Sequence, residues 1–147
     1  MVLLLIKLAF SLALLLNLTQ SHAKTTVIIE NFIKNDEILI RCESEDNNFG
    51  SHVLKFGEKF SWRFKPDLFG GTKFYCYFQS GFGAGDYGVY TRNIKSRCGE
   101  YCEWQIQKTG PCLVQTSKGN SLFCQPWKLP VGNSLASQRL PKIPKEH

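Results

Sequence analysis

All six cysteines of this 147-residue chain lie beyond residue 41, at positions 42, 76, 98, 102, 112 and 124. No other feature restricts the fold as much. In an oxidising compartment an even set in a short chain reads as three disulfides, whereas in a reducing one it reads as metal ligands or free thiols. The first residues decide between these. Met1 to Ala23 hold one charge, Lys7, and an apolar stretch from Leu8 to Leu16 broken only by Ser11. The stretch runs into Ser21-His22-Ala23, with small side chains at the two positions a signal peptidase reads. A membrane-spanning helix needs about 20 continuous apolar residues, and Asn17, Thr19, Gln20 and Ser21 interrupt any such run. Residues 1–23 therefore read as a signal peptide cleaved after Ala23. The expected product is secreted and extracellular, with no stable membrane insertion. Its cysteines are then expected to be oxidised.

The 124 residues that remain suit one domain. Their pattern is all-β. Thr25 to Asn31 reads as a strand rich in Val, Ile and Thr, and in the next segment Ile38, Ile40 and Cys42 share one face. A polar stretch from Glu43 to Ser51 leads into a short strand at His52 to Phe56. Lys59 to Lys65 alternates most cleanly: Phe60, Trp62 and Phe64 point to one side and four polar residues to the other. Lys73 to Phe78 resumes the alternation, with Phe74, Cys76 and Phe78 in register. Gly81, Gly83 and Gly85 read as a hairpin connection before a strand at Tyr87 to Ile94. After the polar segment Arg92 to Glu100, Cys102, Trp104 and Ile106 alternate with Glu103, Gln105 and Gln107. About eight mainly antiparallel strands and closely spaced turns predict a small disulfide-stapled β-sandwich over residues 24–127. From Lys128 to His147 the chain has three prolines, four basic residues and no aromatics. That composition reads as a disordered basic tail.

The last strands place one disulfide. Cys112 to Thr116 and Ser121 to Trp127 flank Ser117-Lys118-Gly119-Asn120, and Cys112 and Cys124 each lie six residues from Lys118. A hairpin centred there, with Gly119 left-handed, sets them face to face, within disulfide reach. Cys42, Cys76, Cys98 and Cys102 allow three pairings that the pattern leaves open. The chain-entropy model favours Cys42 with Cys102, which closes the largest loop.

Catalytic equipment is sparse. After residue 23 the only histidines are His52, at a strand edge, and His147, the last residue. Hydrolases with a serine or cysteine nucleophile need a positioned base, usually histidine. Asp46, Glu58, Asp67, Asp86 and Glu103 are scattered, with nothing to pair them for acid–base work. Cys98-x-x-x-Cys102 is half of a zinc pattern without a second close pair. No enzyme activity, cofactor or metal is expected. No Asn-x-Ser/Thr sequon follows residue 23.

Charge and exposed aromatics make recognition the leading class, with a cell-wall polyanion- or carbohydrate-binding protein or a defence protein as the alternative. Beyond residue 23, 17 basic residues against 12 acidic ones give +5. That balance suits acidic cell-wall polymers, though it also serves solubility. Nucleic acid is not an expected partner. Tyr75, Tyr77 and Tyr90 take the parity opposite to the core residues of their strands, as a sugar- or partner-binding platform or as plain cover for a sheet. Binding residues concentrate on loops carried by rigid scaffolds. The candidates are Asp46, Asn47 and Asn48 in the segment 46–51, and Arg92, Lys95, Arg97 and Glu100 in the segment 92–100.

Several short motifs taken in order are similar to those of plant self-incompatibility proteins and their S-protein homologues. They are Val27-x-Ile29-x-Asn31, Ile40-Arg41-Cys42-Glu43-Ser44-Glu45-Asp46, Phe49-Gly50-x-His52, Phe60-Ser61-Trp62-x-Phe64 and Gly71-Thr72-x-Phe74-x-Cys76. Tyr87-x-Val89-Tyr90, Cys98, Cys102-x-Trp104-x-Ile106, Gly110 and Trp127 complete the set. The resemblance implies a small secreted plant protein with a β-sandwich fold and a signalling role, recognised by a cell-surface receptor protein. In some members of the family that role is the pistil determinant of self-pollen rejection. It also implies that cysteines 42, 76, 98 and 102 are the common set and that Cys112 and Cys124 are an added pair. The tail after Trp127 departs from the usual ending.

Overall fold

In the computed structural model of the chain, residues 1–18 and 23–131 are described. Helix α1 (Val2–Leu18) opens the chain, and its side chains are exposed from Val2 through Leu15. Among the described residues no helix is long and apolar enough to cross a membrane. The residues just before the expected cleavage point, 19–22, lie outside the described set.

Among the described residues, ten strands, one short α-helix and a single 3-10 turn at Thr116–Lys118 follow. In chain order they are β1 (Thr25–Asn31), β2 (Ile38–Glu43), β3 (Asn48–Leu54), β4 (Lys59–Phe64), β5 (Phe74–Ser80) and β6 (Gly83–Tyr90). Then come α2 (Arg92–Cys98), β7 (Tyr101–Gln107), β8 (Gly110–Gln115), β9 (Ser121–Cys124) and the two-residue β10 (Leu129–Pro130). One five-stranded sheet has the order β4-β1-β7-β8-β9 and the other β10-β6-β5-β2-β3. All pairings are antiparallel except β1 with β7.

The two sheets enclose a core set by strand parity. Val27 and Ile29 of β1, Ile38 and Ile40 of β2, Phe78 of β5, and Trp104 and Ile106 of β7 are fully buried. Trp104 ties one sheet to the other, its indole Nε1 donating to the Val89 carbonyl oxygen at 3.0 Å. Trp62 and Phe74 are buried as their parity predicts, while Phe60 and Phe64 are half-buried at the margin.

Cys112 and Cys124 are directly paired across β8 and β9 and are joined by a disulfide. The connecting loop is Thr116–Asn120, two residues longer than a loop of Ser117 to Gly119, yet both are centred on Lys118, so the register is the same. The remaining bridges are Cys42–Cys76 and Cys98–Cys102. This corrects the entropic preference for Cys42 with Cys102. Cys42 and Cys76 are direct partners on β2 and β5, with Cα atoms 4.1 Å apart, whereas Cys102 belongs to the opposite sheet. Loop entropy describes only the unfolded chain; native strand pairing selects the partners.

Four other expectations change. Arg92 to Cys98 is a helix, not an open loop. Strand β3 starts at Asn48, so much of the expected 46–51 loop is sheet. The Gly83–Gly85 segment is the start of β6, and the tight turn lies just before it. Tyr90 is buried at 2% exposure rather than outward-facing. The β5–β6 register slips between Phe74 and Tyr75, which pair with Tyr90 and Gly88, so that Val89 is an extra residue. Such a bulge reverses parity beyond it, and Val89 and Tyr90 both turn inward. The expected tail is also held at its root. Leu129 and Pro130 pair with Ala84 and Gly83, and the Val131 N–H donates to the Phe82 carbonyl oxygen at 3.3 Å. Residues 132–147, His147 among them, lie outside the described residues.

Candidate recognition surface

Both segments singled out in the sequence emerge at the same end of the sandwich, where β2 ends, β3 begins and β6 gives way to α2. Their side chains divide into those that build the surface and those left free on it.

Helix α2 is seven residues long, too short to persist alone. Its ends are therefore secured. The Thr91 hydroxyl caps the N-terminus by accepting from the Ile94 N–H at 3.4 Å. Ile94 and Cys98, one turn apart, are its buried face, and the Cys98–Cys102 bridge ties its last turn to β7. The carbonyls orphaned at the C-terminus accept from the β8–β9 loop: Thr116 Oγ1 donates to Cys98 O at 3.1 Å and Ser117 Oγ to Arg97 O at 3.0 Å. Arg97 belongs to this framework too. Its Nη1 donates to Gln115 Oε1 at 2.8 Å and its guanidinium lies 4.1 Å over the Phe123 ring.

The turn at 44–47 sorts in the same way. Ser44 N–H donates to Asn47 O at 2.8 Å, and the Ser44 hydroxyl accepts from Asn47 N–H at 3.1 Å. Asn48 Oδ1 accepts from Gly50 N–H at 2.8 Å. Asn47 and Asn48 thus shape the turn. Asp46, Arg92, Lys95 and Glu100 are exposed, and their side chains are free to face a partner.

Between the two groups stands the β4–β5 loop, residues 65–73. Asp67 organises it. Its N–H donates to Thr72 Oγ1 at 2.8 Å, its carbonyl oxygen accepts from Gly70 N–H at 3.2 Å, and its Oδ2 accepts from Gly71 N–H at 3.3 Å. The fold holds Leu68 and Phe69 outward, at 65% and 86% exposure. A cleft of about 390 Å³ separates this loop from α2, lined by Leu68, Phe69, Arg92 and Lys95 among others. A second, of about 810 Å³, separates it from the 43–47 turn, with Glu45, Asp46, Lys65 and Lys73 on its walls. The result is a ridge bearing two apolar side chains, basic on the α2 flank and of mixed charge on the other. The legible signal was an apolar pair, Leu68-Phe69, set between Pro66 and Gly70-Gly71.

The other candidates for chemistry do not converge. His52 is half-buried, stacked on Phe60 with ring centroids 4.2 Å apart, and its Nε2 lies 2.8 Å from the Phe49 carbonyl oxygen. All six cysteines are in disulfides, which removes Cys98 and Cys102 as metal ligands. Among the described residues no three His, Cys, Asp or Glu side chains gather as a metal site.

Comparison with known proteins agrees with the architecture. The profile of plant self-incompatibility protein S1 matches residues 26–127. S-protein homolog 5 of Arabidopsis thaliana is 30% identical over 104 residues, covering 71% of this chain and 78% of its own length. S-protein homolog 29 of the same plant is 30% identical over 106 residues, with the same coverage on both sides. A solved structure of an SPH (self-incompatibility protein homologue), described as one of a widespread family of small, highly stable, secreted plant proteins, superposes with a TM-score of 0.53. It is 18% identical and covers 74% of this chain and 95% of its own, so it speaks for the fold alone. By sequence profile, relatives and fold together, this chain belongs to the plant self-incompatibility protein S1 family of S-protein homologues.

Proposed function

We propose that the protein is a secreted signalling ligand recognised by a cell-surface receptor through the α2 end of the sandwich. The observation that carries this reading is the ridge of Leu68 and Phe69 flanked by Arg92 and Lys95 on one side and Asp46 on the other. Two largely exposed apolar side chains within a charged rim have the make-up of a recognition patch, since apolar anchors supply affinity and a polar rim supplies specificity. Three disulfides and a two-sheet core hold the segments still, which lowers the entropic cost of binding. The sparse catalytic side chains favour a binding role over an enzymatic one. Membership of a family whose solved relative is described as secreted supports the extracellular address, as does the exposed apolar helix α1, placed where a signal peptide belongs.

The test is a graft. Residues 44–47, 65–73 and 91–97 of this chain replace their counterparts in S-protein homolog 5, and saturable binding to intact plant cells is measured for both parents and the graft. Binding that follows the grafted segments supports the proposal; binding that stays with the recipient scaffold overturns it. Phe69→Ala with Lys95→Glu in the parent chain is expected to lower binding at least tenfold while leaving the unfolding midpoint unchanged.

A further inference from the structure

The outer face of the β10-β6-β5-β2-β3 sheet is a second surface, which meets the 43–47 side of the α2 end at Glu43 and Tyr75, and we infer that it binds a neutral glycan. On this face two rows cross the sheet. Arg41, Tyr77 and Asp86 are register partners on β2, β5 and β6, and Glu43, Tyr75 and Gly88 form the next row. Together with Ser51 of β3 they bound a shallow cleft of about 370 Å³, for which Gly88 provides no wall.

Each side chain is placed for sugar recognition. Tyr75 is 45% exposed. Its ring lies over Gly88, where a Cβ would make ordinary contact with ring atom Cε1 at 3.5 Å, the closest approach there being the Thr91 Cγ2 at 2.8 Å. An exposed aromatic face is electron-rich and attracts the polarised C–H bonds on the flat side of a pyranose. Tyr77, about 6.8 Å along the strand by the usual rise, plays a different part. The Arg41 guanidinium stacks 4.8 Å from its ring centroid, which fixes a fork of five donors beside the Tyr75 ring. The acceptors are Asp86 and Glu43, both exposed. Among the described residues the one ion pair is Lys59 with Glu30, so neither carboxylate is occupied by a cation. Sugar hydroxyls both donate and accept, and charge-assisted bonds to them are the strong ones.

Charge selects the class of glycan. The chain as a whole carries +6, yet the cleft itself is lined by two carboxylates and one guanidinium, with the Lys128 ammonium at its edge on the Asp86 carbonyl oxygen. A polyuronate would meet Asp86 and Glu43 as like charges, whereas a neutral glycan meets them as hydrogen-bond acceptors. Binding here leaves Leu68, Phe69, Arg92 and Lys95 clear, since none of them lines this cleft, so the same molecule can be held in a polysaccharide matrix while it presents its ridge.

The test is an NMR titration of the isotopically labelled secreted protein with cellohexaose, xylohexaose, mannohexaose and laminarihexaose, and with polygalacturonate as the acidic arm. At least one neutral hexasaccharide is expected to shift resonances of Arg41, Tyr75 and Tyr77 at millimolar concentration, with little dependence on salt. Tyr75→Ala should weaken that binding about 3- to 10-fold, the worth of one stacking contact. Asp86→Asn keeps the side chain's shape and should weaken it about tenfold. Both variants should melt within a few degrees of the parent, and Asp86→Asn, which lies outside both clefts of the α2 end, should keep its cell-surface binding. No shift with any neutral hexasaccharide, shifts confined to the α2 end, or binding of polygalacturonate alone would each overturn the inference. An unaltered affinity in both variants would do so as well.

Discussion

The indole of Trp127 lies directly on Gly83: a Cβ on that glycine would sit 2.5 Å from the indole Cγ and 2.6 Å from the tryptophan's own Cβ. Trp127 is 8% exposed, and its Nε1 donates to the Lys108 carbonyl oxygen at 2.8 Å. The residue therefore closes the end of the sandwich opposite α2, and β6 is bare at Gly83 so that it can.

A double-mutant cycle tests that fit. Gly83→Ala should destabilise by about 1–3 kcal/mol through overpacking, and Trp127→Ala by about 3–5 kcal/mol through the lost side chain. Trp127→Ala removes the indole but keeps the Cβ 2.6 Å away, so the double variant should cost more than Trp127→Ala alone and less than the sum of the two. Chemical denaturation of the four proteins reads the coupling. Simple additivity would mean that the close approach is not what makes glycine necessary.

Asn31 gives a second prediction. Its side chain is fully buried, and its Nδ2 donates to the carbonyl oxygens of Asp36 and Leu54, each at 2.9 Å. Its Oδ1 accepts from the Ile33 N–H at 2.8 Å. One amide thus ties the end of β1 to the segment before β2 and to β3. Asn31→Ala strands two buried acceptors and a donor, and should cost about 3 kcal/mol or more by denaturant melt. Asn31→Asp sets an oxygen against those carbonyls and should cost at least as much. A loss below about 1 kcal/mol in both would show that water replaces the amide.

The disulfides rank by the length of chain they close. Cys42–Cys76 spans 34 residues of sequence, Cys112–Cys124 spans 12, and Cys98–Cys102 spans 4. The chain-entropy relation assigns them about 3.8, 2.8 and 1.9 kcal/mol respectively. Paired Cys→Ala variants should lower stability in that order. Cys98→Ala with Cys102→Ala should also affect function more than stability, since it frees the last turn of α2. Hydrogen exchange should rise at Lys95 to Gly99 and remain unchanged at β5.

Strand parity made most of the core legible, including Trp62, Phe74, Cys76 and Trp104, and it also marked Tyr75 and Tyr77 as outward-facing. It failed at Tyr90 because a bulge changes parity without a compositional mark. Helix α2 was hidden by its length: Ile94 and Cys98 are one i, i+4 pair, too little to establish a period. Only Thr91 as a cap hinted at a helix start. Cys42 with Cys76 was available in principle, since both sit on core-facing parities of neighbouring hydrophobic strands. Loop entropy was the wrong criterion there, because strand order is a long-range property. The candidate site was half legible. Its charged residues were picked out by exposure, but Arg97, Asn47 and Asn48 are used internally, and the Leu68-Phe69 ridge that joins the two groups was missed.

Alkaline pH should lower the protein's stability through two tyrosines. Burial, the largest cause, raises Tyr87 above the ordinary 10.0; the hydrogen bond from the Lys128 N–H partly offsets this, and the nearby Asp86 charge adds to it. Burial also raises Tyr90, partly offset by Thr25, and its hydroxyl makes no hydrogen bond of normal geometry. In the unfolded chain both ionise near pH 10, while in the folded protein they hold their protons longer. The folded state therefore binds more protons above pH 10, and stability falls as pH rises from there through the folded values. Below pH 10 these groups leave it unchanged. Lys59, raised chiefly by its hydrogen bond to Glu30, titrates in the same range but is exposed and adds little. Tyr90→Phe removes an ionisable group without removing a well-formed hydrogen bond, so it should match the parent at pH 8 and exceed it at pH 11. Tyr87→Phe should be weaker at pH 8, because the ring's hydroxyl bridges Pro126 O and Lys128 N–H at 2.9 Å each. Denaturant midpoints at the two pH values decide the matter, and parallel losses in parent and Tyr90→Phe would place the alkaline transition elsewhere.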